Sequence, residues 1–239
     1  MTGSLTVELL RVHGGLFSRF GDPGWWPGDS PFEIAVGALL TQNTSWKNVE
    51  RAISNLKEMK ILAPDGILNC DDEILKKAIR PSGYFNQKSI YLKNLCRLIT
   101  DVLEGDVRSL RKISLDEARN LLLGINGIGK ETADSILCYG AGSAILVVDA
   151  YTWRILLRIF GPLLEKELSG RSYDDLASLL MHNLEGDTTF YNRFHALMVL
   201  LGKDICRKKP HCNICPISDH CRYNLRETRN DISGGGNKD

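Results

Sequence analysis

Four cysteines close to the end of the sequence have a spacing that suits a metal or iron–sulfur site. They are Cys206, Cys212, Cys215 and Cys221, separated by five, two and five residues. A tetrahedral zinc ion and a 4Fe-4S cluster both bind four cysteine thiolates. Zinc ribbons usually supply their ligands as two close pairs, and only one close pair is present here. The spacing therefore favours a 4Fe-4S cluster, with zinc and a chance grouping as the alternatives.

A second candidate site is a glycine-rich turn that is followed by an aspartate. Gly127 and Gly129 flank Ile128 between two helical segments, and Asp149 follows a short apolar run further along the chain. The glycines permit a tight turn whose free backbone amides can bind a phosphate at the start of the second helix. The alternative is a helix–helix turn without a ligand. Asp149 is either a catalytic carboxylate or only the N-cap of the next helix.

Three tryptophans lie in polar or turn-rich stretches. Trp25 and Trp26 belong to the loop 21–29, and Trp46 ends the polar run 41–46 between two apolar helical segments. Such aromatics either anchor a loop in the core or form a recognition surface. The polar run indicates a loop that faces a site or the start of the next helix.

The turn 80–88 combines aromatic and basic residues. Tyr84 and Phe85 lie between Arg80 and Lys88, and helical segments precede and follow the turn. This pattern is typical of a wedge that contacts DNA, and equally of a packed helical hairpin.

The totals describe an ordinary globular chain. The 239 residues are 43% hydrophobic and 25% charged, with a formal net charge of +1, which excludes a strongly basic nucleic-acid-binding tail but not a local basic patch. No apolar run approaches the roughly 18 residues that a membrane span needs, and no secretion signal is visible, so we expect an intracellular protein. Without a secretion signal, the seven cysteines argue against a disulfide framework. The three scattered ones, Cys70, Cys96 and Cys138, are expected to be core or half-buried thiols.

Apolar periodicity predicts an all-α fold. Helices are expected in the following segments: 4–20, interrupted at Gly14 and Gly15; 31–40; from 49; 71–79; up to 99; 115–123, started by Ser114 and Glu117; 132–138; 151–160; 173–183; and 190–201. Only the run 144–148 favours a strand, and it is too short to found a sheet. The end of the chain, residues 226–239, is expected to be disordered because residues 233–237 are rich in glycine.

Together, the Gly127-Ile128-Gly129 turn, Asp149 and the cysteine array resemble the helix-hairpin-helix (HhH-GPD) DNA glycosylase superfamily, in its endonuclease III branch. The resemblance spans about residues 5–222. It implies a six-helix barrel domain over 31–134 that contains the helix-hairpin-helix. A second domain would comprise 1–30 and 135–225 and carry a 4Fe-4S cluster on the four cysteines, although the first cysteine loop is one residue shorter than usual. Damaged double-stranded DNA would bind in a cleft between the two domains, and the protein would act as a monomer in the cytoplasm, at the nucleoid.

The resemblance also assigns DNA contacts. It implies that the amides of Gly127 and Gly129 bind a DNA phosphate, with Lys130 beside them. Gln42 would fill the gap left by a flipped nucleotide. Tyr84, with Phe85, would wedge into the opposite strand.

The residue two positions after Gly129 indicates the reaction class. Family members that cut the DNA backbone have a lysine there, whose amine forms a Schiff base with the sugar. This chain has Glu131, and Lys130 is rotated by about 100° on a helix. A carboxylate cannot form an imine, so we expect a glycosylase without lyase activity. Asp149 would stabilise the oxocarbenium ion or orient water.

The pattern of motifs resembles the 3-methyladenine DNA glycosylase III subgroup. That resemblance implies that Trp25 and Trp46 stack on an alkylated purine in a pocket that also includes Trp26, Glu131 and His195. Indole faces attract a cationic base. His195 is either a pocket residue or an ordinary helix residue. Some relatives have a lysine at the position of Leu197, and that interaction is missing here.

Three alternatives stay open. A glycosylase for uracil or thymine opposite guanine also lacks the lysine, but it would bind a neutral pyrimidine edge through hydrogen bonds. A noncatalytic DNA-binding redox sensor would use the cluster and would not need Asp149. A zinc-stapled DNA-binding module would be colourless, whereas a 4Fe-4S protein is brown.

Overall fold

The computed structural model describes residues 2–168, 170 and 172–225, with side chains from residue 5 onward. Among these residues the chain is helical and has no strand, which confirms the all-α prediction. The segment 226–239, expected to be disordered, lies outside the described residues. None of the described helices is both long and apolar enough to span a membrane.

The α-helices are α1 (Thr2–Phe20), α2 (Pro31–Leu40), α3 (Trp46–Glu58), α4 (Pro64–Asn69), α5 (Asp72–Ile79), α6 (Phe85–Asp101), α7 (Leu115–Leu123), α8 (Lys130–Ser135), α9 (Ala150–Phe160), α10 (Pro162–Glu167), α11 (Tyr173–Leu184) and α12 (Thr188–Leu200). Short 3₁₀ segments lie at Arg80–Ser82, Val107–Lys112, Cys212–Ile214 and Ser218–His220. α8 and α12 each continue into a π-helical turn, Ile136–Ala141 and Leu201–Ile205. The sequence did not predict α4 and α10, since six residues are too few to show a helical period.

The chain divides into two compact units. The central unit is Trp26–Ile145, and the terminal unit combines Met1–Trp25 with Leu146–Asp239. These boundaries fall at 25/26 and 145/146, whereas the sequence placed them after 30 and 134. Residues 135–145 thus lie in the central unit, because the π-helical turn that follows α8 packs against α2.

In the terminal unit, α1 packs against α11 and α12, and α9 packs against α10 and α12. The core includes Leu9, Leu16, Leu156 and Phe194. The sequence predicted an interruption at Gly14 and Gly15, but α1 is continuous. A Cβ at Gly15 would lie 2.9 Å from Cγ2 of Ile217, so this glycine lets the cysteine-containing segment approach α1.

The central unit is built around α2, α3 and α6. The inner face of α6 includes Leu92, Leu95 and Ile99, spaced by three and four residues as an amphipathic helix requires. Lys88 occupies the same face one turn earlier and is also buried.

Polar caps set the helix starts that position the site. Ser114 and Glu117 form the predicted capping box at the start of α7, and Asp149 is the predicted N-cap of α9. Each cap satisfies backbone amides that have no partner inside the helix. Ser114 therefore determines where α7 begins, before the glycine turn, and the catalytic candidate Asp149 determines where α9 begins.

Candidate active site and DNA-contacting turns

The glycine turn joins α7 to α8 in the central unit. Gly127 has a φ of +94°, a conformation that disfavours a side chain. A Cβ there would lie only 2.2 Å from Cγ of Tyr91, so the ring of Tyr91 packs directly against this glycine. Gly129 is the N-cap of α8, and a Cβ on it would meet no atom within 4 Å. The turn is tight on the Gly127 side and open on the Gly129 side, where the first amides of α8 lie.

A buried ion pair holds the two helices of the hairpin together. Nε of Arg119 on α7 donates to Oδ1 of Asp134 on α8 at 2.7 Å, and Nη2 donates to Oδ2 at 3.1 Å. Asp134 is buried. Lys130 and Glu131 occupy the exposed first turn of α8. From the sequence, Lys130 is expected to contact DNA and Glu131 to line the base pocket.

Gln42 connects the turn after α2 to the hairpin. Its Nε2 donates to the carbonyl of Gly127 and to Oγ1 of Thr132, both at 2.9 Å. These two bonds attach the side chain of Gln42 to the hairpin. Neither contact was predicted from the sequence, because 85 and 90 residues separate the partners.

The turn between α5 and α6 presents Tyr84. This residue is 68% exposed and adopts a left-handed backbone conformation, with a φ of +45°. Phe85 is half-buried, and the guanidinium of Arg80 lies 5.8 Å from its ring centroid. Lys88, which the sequence pattern placed on the same DNA-contacting surface, is buried instead, because three backbone carbonyls bind its ammonium group.

The tryptophans separate between the units. Trp26 and Trp46 meet in the central unit with ring centroids 5.3 Å apart and planes at 88°, and Trp26 also lies 5.3 Å from Tyr139. Gly37 makes room for both indoles, since a Cβ there would lie 3.1 Å from Nε1 of Trp26. Trp25 belongs to the terminal unit and is half-buried. Because the rings of Trp26 and Trp46 are perpendicular and in contact, they do not form a parallel sandwich for a base.

The two carboxylate oxygens of Asp149 have different neighbours. Its Oδ1 accepts from the backbone N of Thr152 at 2.7 Å and from Oγ1 of Thr152 at 2.8 Å. Its Oδ2 lies 3.9 Å from Nε2 of His195, and the Asp149 side chain is 11% exposed. The N-cap role therefore occupies one oxygen and orients the other toward His195.

His195 is buried in the terminal unit, next to the carboxylate. Burial lowers the pKa of His195, and the negative charge of Asp149 opposes that shift without cancelling it. The imidazole is consequently neutral near pH 7. Leu197, on the same helix, is fully buried in the core of the terminal unit.

The four terminal cysteines line one small cavity of about 20 Å³, together with Arg158 and Tyr223. Burial raises the pKa of Cys215 to about 11, and the three other cysteines add to this effect. Among the residues described, no three His, Cys, Asp or Glu side chains are grouped closely enough to hold a metal ion. The donor types and their shared cavity suit a metal centre.

Two arginines of α9 fix the start of the cysteine segment. Nη1 of Arg158 donates to Sγ of Cys206 at 3.1 Å and to the carbonyl of Arg207 at 2.6 Å. Nε of Arg154 donates to the carbonyl of Cys206 at 3.0 Å. The scattered cysteines behave as expected: Cys96 and Cys138 are buried, and burial raises the pKa of each thiol to about 12.

Comparison with known proteins places these features in a family. Residues 36–169 match the model of the HhH-GPD superfamily base excision DNA repair proteins. A protein of Methanocaldococcus jannaschii, provisionally named as a DNA repair glycosylase, is 43% identical over 215 residues, or 89% of this chain and 95% of that protein. Endonuclease III of Sulfolobus acidocaldarius is 29% identical over 203 residues, or 83% of this chain and 85% of that enzyme.

Among solved structures, the 3-methyladenine DNA glycosylase MagIII of H. pylori, bound to 1,N6-ethenoadenine, superimposes with a TM-score of 0.65. It is 28% identical, and the match covers 84% of this chain and 97% of that one. The chain therefore belongs to the HhH-GPD superfamily, in its endonuclease III branch, and is a DNA glycosylase of base excision repair.

Proposed function

We propose that this glycosylase is monofunctional: it hydrolyses the N-glycosidic bond of alkylated purines, with 3-methyladenine as the preferred base, and leaves an abasic site. The observation that carries the reaction class is Glu131, in the exposed first turn of α8 where a lyase has its amine. A carboxylate cannot form a Schiff base with the sugar, so the elimination that cuts the backbone has no nucleophile there. Lys130 precedes it and is rotated by about 100° around the helix.

The aromatic group of the central unit supports a cationic substrate. Trp46 and Tyr139 flank Trp26, and electron-rich rings attract a cationic base by about 0.5–2 kcal/mol per contact. Stacking on an outer face of this group, rather than between its two indoles, is the arrangement that the ring geometry favours. Trp25, in the terminal unit, is the proposed second stacking residue. The likeness to a 3-methyladenine glycosylase that holds a modified adenine points to the same class of base.

Asp149 is the proposed catalytic residue. A cationic purine leaves readily without an acid, so the main requirement is a negative charge near the developing oxocarbenium ion. The bonds from Thr152 hold Oδ1 in place, and the neutral His195 lies 3.9 Å from Oδ2. Oδ2 is then the atom that stabilises the sugar cation or orients the attacking water.

The turns of the central unit are the proposed binding site for duplex DNA that contains a damaged base. The amides after Gly129 would bind a phosphate at the start of α8, with Lys130 adding positive charge. Tyr84, which is exposed on its turn, would wedge into the opposite DNA strand together with Phe85. Gln42 would leave the hairpin and fill the gap that the flipped nucleotide leaves. A monomer carries all of these elements.

The cysteine cavity is the proposed site of a 4Fe-4S cluster held by Cys206, Cys212, Cys215 and Cys221. A bound cluster would supply the positive charge that ionises these thiols and would cross-link the segment. Arg154 and Arg158 hold the segment at Cys206 through hydrogen bonds, so this end of the site is already positioned. Absorbance of the purified protein in the visible range, with iron and sulfide analysis, separates this cluster from zinc.

The test of the reaction class uses a duplex that contains one abasic site and borohydride as the trapping reagent. We expect no covalent enzyme–DNA product and no strand cleavage above background, since no amine reaches the sugar carbon. A trapped product would overturn the monofunctional assignment. For the substrate class, Trp46→Ala should slow release of methylated purines at least tenfold. If it leaves that rate unchanged while uracil or thymine is released from mismatches with guanine, the mismatch glycosylase is the correct alternative.

A further inference from the structure

Lys88 is a buried cation in the central unit. Only 2% of the residue is exposed. Its Nζ donates to three backbone carbonyls, each at 2.8 Å: those of Leu40, Gln42 and Ser82. An ammonium group has three protons, so these bonds use its full donor capacity. Burial lowers the pKa of Lys88 to about 8, and the three carbonyls replace the water that the charged group has lost.

The three carbonyls come from two separate regions of the central unit. Leu40 is the last residue of α2 and Gln42 lies in the turn that follows it, whereas Ser82 belongs to the turn that presents Tyr84. The backbone N of Lys88 also donates to the carbonyl of Tyr84 at 2.9 Å. The Lys88 side chain therefore binds the chain two residues before Tyr84, and its backbone N binds Tyr84 itself. The φ of Tyr84, +45°, is costly for a residue with a large side chain. Such a conformation persists only where its surroundings hold it.

The same arrangement extends to the hairpin through Gln42. Lys88 binds the backbone of Gln42, and the side chain of Gln42 binds Gly127 and Thr132. One buried ammonium group thus links the turn of Gln42, the turn of Tyr84 and the glycine turn. All of these contacts lie within the central unit.

We propose that Lys88 is a positioning residue that holds the Gln42 turn and the Tyr84 turn in the single arrangement that binds DNA at the lesion. This inference rests on the proposed DNA contacts of Gln42 and Tyr84, and it is independent of which base is removed. A lysine that only stabilised the core would change the melting temperature without being coupled to those two side chains.

The test measures binding of the full chain to a duplex that contains one tetrahydrofuran abasic analogue, at fixed salt and well below the melting temperature. Lys88→Met keeps the aliphatic chain and removes the three N–H donors. The matched control is Lys93→Met on the same helix, because Nζ of Lys93 also donates to a carbonyl, that of Cys70, and pairs with Asp72, away from both turns. We expect Lys88→Met to weaken binding at least tenfold and Lys93→Met to change it less than threefold.

A double-mutant cycle separates positioning from general stability. In the Gln42→Ala/Tyr84→Ala background, Lys88→Met should weaken binding less than threefold, since the side chains through which it acts are gone. A full tenfold loss in that background, or wild-type affinity of Lys88→Met alone, would overturn the proposal. Wild-type affinity of both Gln42→Ala and Tyr84→Ala would also overturn it, by removing the DNA contacts on which it rests. If Lys88→Met does not fold, Lys88→Gln, whose two N–H donors cannot serve all three carbonyls, takes its place in every arm.

The abasic duplex keeps this test apart from the substrate proposal. If the wild type binds the duplex and shows the Lys88 coupling but frees no methylated base, the substrate class is wrong and the positioning role stands. If methylated bases are freed and the coupling is absent, the positioning role is wrong and the substrate class stands.

Discussion

Asp149 combines a cap and a proposed catalytic charge in one side chain, and two substitutions separate these roles. Asn can still accept the bonds of Thr152 through its amide oxygen and caps helices about as well as Asp, so Asp149→Asn should change the free energy of unfolding by less than about 1 kcal/mol. Asp149→Ala loses the cap, worth about 0.5–2 kcal/mol. It also leaves the hydroxyl of Thr152, a residue with 0% exposure, without its acceptor, for about 1–3 kcal/mol more.

The two effects are read out by thermal unfolding and by single-turnover base release from methylated duplex DNA. Asp149→Asn should melt within a few degrees of wild type, yet release the base about 10²- to 10⁴-fold more slowly, because the negative charge at Oδ2 is gone. Asp149→Ala should be as slow and should also melt about 5 °C or more lower.

The control is Asp187→Asn, since Asp187 caps α12 in the same unit through one hydrogen bond to the N of Phe190 at 2.8 Å. It should change neither the rate nor the melting temperature appreciably. If Asp149→Asn releases the base within tenfold of the wild-type rate, Asp149 is only an N-cap and the catalytic assignment is refuted.

Three further predictions concern the hairpin and the pocket. Glu131→Lys places an amine at the lyase position and should yield a borohydride-trapped DNA adduct that wild type does not form; no adduct would mean that this position does not face the sugar. Gly127→Ala should destabilise the protein by about 2–5 kcal/mol, because the new Cβ would clash with Tyr91 and residue 127 has a φ of +94°. Gly129→Ala should cost no more than about 1 kcal/mol of stability. Similar melting temperatures for the two variants would contradict this prediction. Burial holds the pKa of His195 below its unfolded value of 6.5, so the unfolded chain binds the extra proton first and the stability of the protein falls as the pH drops below about 6.5. His195→Gln should flatten this pH dependence of the melting temperature. An unchanged slope would show that His195 does not contribute to it.

Local signals predicted the helix boundaries well. Ser114 with Glu117, and Asp149 before an apolar run, indicate helix starts because the capping bonds are made within three residues. The break expected at Gly14 and Gly15 was wrong, since packing of α1 in the terminal core outweighs the weak helix propensity of glycine.

The contacts that shape the site could not be predicted from local patterns. The bond from Gln42 to Gly127 joins residues that are 85 positions apart in the sequence. Trp26 lies in a loop, so the spacing of residues does not predict its perpendicular contact with Trp46. Lys88 is different, because its burial had a readable signal. It lies four residues before Leu92 on the apolar face of α6, where a lysine must find buried acceptors.

Release of 3-methyladenine tests the proposed function most directly. Methylated duplex DNA is incubated with the full chain, the freed bases are separated by chromatography, and the strands are analysed before and after alkali. We predict free 3-methyladenine with strands that break only after alkali, which shows abasic sites without lyase cleavage. If the protein binds this DNA and frees no methylated base, or if the strands are cut before alkali, the assignment as a monofunctional alkylpurine glycosylase is contradicted.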